Sequence, residues 1–181
     1  MIITVLLVVA IVIVVFLIVV GKRPADFSVT RSASINAPTE VVFAQVNDLR
    51  AWQAWSPWAK MDPDAKSTFD GPPSGTGASM AWAGNKKVGE GRMTIIESRP
   101  AELVRFKLEF FKPWQATNTA EFTFAASGGQ TVVNWTMLGK NNFMAKVFGL
   151  FVDCDKMIGG CFEKGLAQMK SVAEAAGQPV R

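Results

Sequence analysis

Apolar and polar positions follow three patterns along the chain, and each predicts a different element. From Ile2 to Val20 there is no alternation, only an uncharged run of almost nothing but Val, Ile and Leu. Nineteen helical residues rise about 28 Å, close to the roughly 30 Å of bilayer hydrocarbon, so residues 1–21 read as a transmembrane anchor. At Phe27 to Ile35, and again in runs from Ala78 to Gly139, the period is two, the signature of half-buried strands. Phe27, Val29, Ala33 and Ile35 alternate with Ser28, Thr30, Ser32 and Ser34; Val104, Phe106, Leu108 and Phe110 alternate with Arg105, Lys107 and Glu109. Further strands place Met80 with Trp82, Met93 with Ile95, Phe122 with Phe124, and Val133 with Trp135 and Met137 on inward faces. A short strand is expected at Lys66 to Phe69, and Gly128-Gly129 marks a hairpin. Arg31 falls on the apolar side of its strand, which calls for a strand end or a partnered charge.

The third pattern is helical. Phe151 to Ala176 repeats Cys154, Ile158, Cys161, Gly165, Met169 and Val172 at steps of three or four, predicting one long amphipathic helix that needs an apolar partner. Gly177 and Pro179 read as its stop. Ala37-Pro38-Thr39-Glu40 opens a shorter helix with Val42, Phe43, Val46 and Leu49 on its buried stripe. Trp52, Trp55 and Trp58 crowd into seven residues; Trp52 and Trp55 share a helical face in a segment that Ser56-Pro57 ends, and the three form either a plug over the core or a pocket wall. Asn141-Asn142 caps a short helical lead-in towards Gly149. The expected organisation is a linker at residues 22–26, one domain over 27–177 and a tail at 178–181.

Composition narrows the chemistry. Lys and Arg number 19 against 15 Asp and Glu, and the only adjacent basic pairs are Lys22-Arg23 and Lys86-Lys87, so no nucleic-acid surface is expected. The chain has no His, which removes the commonest general base and metal nitrogen ligand. Its two cysteines, seven apart on one helix, lie about 10 Å apart, beyond disulfide reach and too few for a zinc site. Both are expected to pack as small apolar groups, and no metal or cofactor is expected.

The N-terminal run lacks the basic n-region and small-residue cleavage site of a secretory signal, which favours an anchor. Lys22 and Arg23 directly after it place the following domain in the cytoplasm by the positive-inside tendency. No small-xxx-small pattern appears in the run, so no anchor-driven oligomer is predicted.

Ile35-Asn36-Ala37-Pro38 with Val42-Phe43, Trp52 with Trp55-Ser56-Pro57-Trp58, Gly89-Glu90-Gly91-Arg92-Met93, Asn118-Thr119-Ala120-Glu121-Phe122 and Phe162-Glu163-Lys164-Gly165-Leu166 together resemble the START-like or Bet v 1-like superfamily. The likeness is to its bacterial polyketide cyclase/dehydrase and lipid transport group and covers about residues 27 to 175. It implies an α+β helix-grip fold, a curved antiparallel sheet wrapped around the C-terminal helix, with a cavity between them for apolar small molecules.

On that basis the expected ligand-binding residues are Trp55, Trp58, Met80, Trp82, Met93, Phe106, Phe122, Trp135, Met137, Ile158, Cys161 and Gly165. Gly159, Gly160 and Gly165 each cost about 1 kcal/mol relative to Ala in mid-helix. They serve either to leave room beside the sheet or to allow close packing. The expected partner is a hydrophobic small molecule or lipid, with the membrane reached through the N-terminal helix. A cyclase or dehydratase, as the family name implies, needs an acid or base inside the cavity, and Glu97, Arg31 and Asp155 are the candidates; no catalytic residue is assigned. An accessory subunit of a membrane complex is the remaining reading.

Overall fold

The computed structural model describes residues 1–176; the expected stop at Gly177 and Pro179, the end of the expected domain and the tail fall outside the described residues. Helix α1 (Ile2–Lys22) is followed by strand β1 (Asp26–Ile35), helices α2 (Thr39–Asn47), α3 (Trp52–Trp55) and α4 (Pro57–Met61), then strands β2 (Lys66–Asp70) to β7. The remaining strands are β3 (Ser79–Ala83), β4 (Glu90–Arg99), β5 (Leu103–Lys112), β6 (Ala116–Ser127) and β7 (Gln130–Lys140). A short α5 (Phe143–Phe148) and the long α6 (Cys154–Ala176) close the chain.

All seven strands form one antiparallel sheet in the order β1-β7-β6-β5-β4-β3-β2, with α6 packed against it. This is the expected α+β helix-grip architecture. Gly128 and Gly129 carry φ of 56° and 83°, the two positive values that a two-residue hairpin requires, and they join Ser127 to Gln130. A register shift between Ile95 and Glu97 bulges β4 and turns Ile96 outward. The Asn142 side chain accepts from the Ala145 N–H at 2.8 Å, capping α5 as its sequence implied.

Helix α6 differs from its expected stripe. The residues it buries are Gly159, Phe162, Gly165, Leu166, Met169 and Ala173, whereas Cys154, Ile158, Cys161 and Val172 are only half-buried. The helix is thus rotated towards Phe162, whose ring lies parallel to Trp135 with centroids 4.0 Å apart and planes at 8°. A large aromatic contact outweighs two thiols in deciding which face turns inward. The two cysteines are free and lie on the flank of the helix, not in its buried seam.

The mid-helix glycines resolve into close packing at two positions and open space at one. A Cβ on Gly165 would stand 2.8 Å from Trp135 Cζ3 and 3.2 Å from Pro57 Cδ, and one on Gly159 would strike the Arg31 guanidinium. A Cβ on Gly160 meets nothing within 4 Å. Gly160→Ala is therefore expected to stabilise the protein by about 1 kcal/mol, the helix-propensity difference. Gly165→Ala, which gains the same propensity, is expected to be destabilising by about 1–2 kcal/mol because neither the indole nor the proline ring has room to yield. Denaturant unfolding of both variants in detergent, followed by circular dichroism, checks the opposite signs.

Candidate functional site

The indole of Trp135, on β7, is the centre of the core. Phe162 covers one side of the aromatic stack and Phe122 continues it at 4.7 Å, while Trp52, Trp55 and Trp58 meet Trp135 edge to face at 5.7 to 6.0 Å. Trp52 and Trp55 are held by their own N–H groups, which donate to the carbonyls of Val46 and Gln45, each at 3.0 Å. The expected hollow between the middle of α6 and the sheet is consequently filled.

The cavity lies beside this stack, under α3 and α4 and against the β2 to β5 side of the sheet. Its volume is about 160 Å³. Of the residues expected at a ligand site, it brings together Trp58, Met80, Trp82, Met93, Trp135 and Met137. Trp55, Phe106 and Phe122 are fully buried in the packed core instead, Gly165 is pressed against Trp135, Cys161 sits on the flank of α6, and Ile158 faces a separate groove beside Phe27. Pattern alone cannot separate a core-facing from a cavity-facing residue, because both occupy the same inward positions of a strand.

Trp52, Gln53, Ser56, Asp62, Val88, Leu108 and Phe110 also line the cavity and were not among the expected site residues. Leu108 and Phe110 were legible as inward-facing; their position at the cavity follows from β5 pairing with β4, where Leu108 stands opposite Met93. Asp62 comes from a segment without periodicity, and Val88, expected to open the fourth strand, lies in the turn just before β4. The Trp82 N–H donates to the Val88 carbonyl at 3.4 Å, and its ring meets Phe110 edge to face at 5.8 Å, so this wall is tied together. The Trp135 N–H, by contrast, is buried with no acceptor among the described residues. An unpaired buried donor of this kind costs about 1–3 kcal/mol.

Charge is kept out of this space. Asp62 is the one ionisable side chain among the described residues that line the cavity, and its Oδ2 accepts from the Asn85 backbone N–H at 2.6 Å. The three candidate acid or base groups are elsewhere. Glu97 pairs with Arg105, which also pairs with Glu121 at 2.7 Å. Of the two readings of Arg31, strand end or partnered charge, the second holds: it bridges β1 to α6 by donating to Asp155 at 2.8 Å and to Glu163 at 2.7 Å. These bonds raise the Arg31 pKa above its ordinary value, Asp155 contributing most, and Arg31 in turn holds the Asp155 carboxyl below the usual aspartate value. Arg105 is likewise raised, chiefly by its hydrogen bond to Glu121. No group of three or more metal-binding side chains occurs among the described residues.

A helix-grip fold with an apolar cavity between its short helices and the outer strands of the sheet defines the class of protein. The match to the family model described as polyketide cyclase / dehydrase and lipid transport runs over residues 26–174, and the chain belongs to that family. No curated protein matches it in sequence. Among solved structures it is similar to protein CV1439 from Chromobacterium violaceum, at 14% identity over 81% of this chain and 96% of that one, with a TM-score of 0.60. The di-domain ARO/CYC BexL of the BE-7585A biosynthetic pathway matches at 16% identity, TM-score 0.58, over 90% of this chain and 53% of its own. The structure of Ara h 8.0201 matches at 8% identity, TM-score 0.54, over 83% of this chain and 97% of its own.

The Arg31 bridge makes a pH prediction. A carboxylate with a depressed folded-state pKa stabilises the fold above its ordinary value, here 3.8, and loses that contribution as pH falls through the folded value. Asp155→Asn should therefore melt below the wild type at neutral pH, and the gap between the two melting temperatures should narrow once the pH falls below 3.8. Melting curves in detergent at neutral pH and in acid check this; a gap unchanged in acid overturns it.

Proposed function

We propose that this protein is a membrane-anchored carrier or sensor that takes an apolar small molecule, or the end of an acyl chain, into the cavity beneath α3 and α4. The observation that carries this reading is the cavity itself: about 160 Å³ walled by thioethers and indoles, with charge confined to Asp62. An engineered apolar cavity of about 150 Å³ accommodates benzene, so the enclosed part suits one ring or a few methylenes. The flexible side chains of Met80, Met93 and Met137 suit an irregular guest. Trp58 and Trp82, both half-buried, stand where a longer ligand would emerge.

Helix α1 is long and apolar enough to cross a membrane. In this reading it is the anchor, with Lys22 and Arg23 holding the domain on the cytoplasmic side. Exchange of ligand with the bilayer is then local. A cyclase or dehydratase reading, prompted by the ARO/CYC neighbour, has Asp62 as its only acid or base at the cavity, with one oxygen already engaged by Asn85. Binding without turnover fits that arrangement better.

The test is binding of 4-propylphenol, followed through intrinsic Trp fluorescence, to the full chain in detergent. Ala65 is a half-buried residue of the cavity wall, and Ala65→Phe, which fills the space from there, should weaken binding at least about tenfold, as loss of a well-fitted apolar site predicts. Equal binding by wild type and Ala65→Phe overturns the site.

A further inference from the structure

The register of the sheet separates the two ends of the domain. Asp26 pairs with Lys140, Phe110 with Ala116, Glu90 with Lys112 and Ala83 with Glu90, so the start of β1, the β3–β4 turn, the β5–β6 turn and the end of β7 all lie at one end. It is the end at which α1 joins. Helix α5 packs on α1, Val20 is buried at the base of α1, and the Asn141 N–H donates to the Ala25 carbonyl at 2.6 Å, fixing the approach to α5 beside the linker.

Exposed large apolar side chains are concentrated here. Outside α1 and among the described residues, Ile96 is the one such residue placed away from this end. The most prominent are Trp114 in the β5–β6 turn, 77% exposed, and Phe151 just after α5, 80% exposed; Phe111, Phe143, Met144 and Phe148 stand with them. Basic residues share the surface: Lys86 and Lys87 at the β3–β4 turn, Lys112, and Lys146 on α5. Towards the opposite end, with the Gly128-Gly129 hairpin and the Pro72-Pro73 loop, Ile96 is the one exposed large apolar residue among those described.

We propose that this end of the domain, formed by α5, Phe151 and the Trp114 turn, docks onto the bilayer surface from which α1 emerges. Aromatic side chains with adjacent lysines match the headgroup boundary, where rings enter the acyl region and cations meet anionic lipid. The bilayer is the occupant because the last turn of α1, the one feature fixed to its surface, packs on the same patch. The cavity walls Trp82, Val88 and Phe110 belong to this end too, so docking would present the cavity to the lipid. The proposal rests on the reading of α1 as a membrane span.

The test uses the full chain in nanodiscs of phosphatidylcholine and phosphatidylglycerol with brominated acyl chains. In a Cys154→Ser, Cys161→Ser background, single cysteines at Ile11→Cys, Trp114→Cys, Phe151→Cys and Ser127→Cys carry an environment-sensitive fluorophore. The expected result is strong quenching at positions 11, 114 and 151, roughly fivefold above that at position 127. Quenching at position 11 alone leaves the span standing and overturns docking. Position 151 shielded from both bromolipid and aqueous iodide means a protein, or a second copy, covers the patch, and overturns it equally. No quenching at position 11 removes the span, and docking with it. All four labelled positions are exposed, so the labels leave the core intact.

Discussion

The parallel contact of Phe162 with Trp135, continued by Phe122, is the interaction on which the arrangement of the domain depends. Each aromatic pair adds about 0.5–1.5 kcal/mol beyond the area it buries, and here three rings from β6, β7 and α6 share one column. The column sets the rotation of α6, and so decides that Gly159 and Gly165 face the sheet side while Cys154 and Cys161 are turned to the flank. It also sets the distance: Gly165 touches the edge of the Trp135 ring, and no larger residue fits at that spacing.

With the middle of the helix–sheet interface filled, free space is displaced sideways to where α3 and α4 bridge the outer strands. Those two short helices cannot fill it alone. Trp52 and Trp55 are spent on the aromatic column and on hydrogen bonds to the end of α2, leaving Trp58 and the flexible methionines of β3, β4 and β7 to enclose what remains. The ionic groups follow the same division. Arg31 with Asp155 and Glu163 clamps β1 to α6, and Arg105 with Glu97 and Glu121 ties neighbouring strands, so charge stabilises the frame and the cavity stays apolar. Such pairs, half exposed, fix geometry more than they add stability.

Most of the fold was legible in the chain before any coordinates. Alternation of period two located every strand, with boundaries shifted by a residue or two, because a sheet with one wet face imposes that period regardless of which strand pairs with which. The anomaly at Arg31 was legible for the same reason, as a strand end or a partnered charge, and its bonds to Asp155 and Glu163 decide for the second. The glycines of α6 were visible as anomalies, but whether each made room or allowed contact depended on what faced it.

The sequence by itself determined the apolar N-terminal run, the strand and helix content, the inward faces and the absence of histidine chemistry, since these are properties of local composition and period. Only the tertiary structure decided which inward residues meet each other and which border empty space. That choice depends on how large side chains from distant segments, Phe162, Trp135 and Trp52 above all, compete for one volume, and no local pattern records the outcome of that competition. The gathering of exposed aromatics and lysines at the end beside α1 is likewise a product of strand register, which brings together turns that lie far apart along the chain.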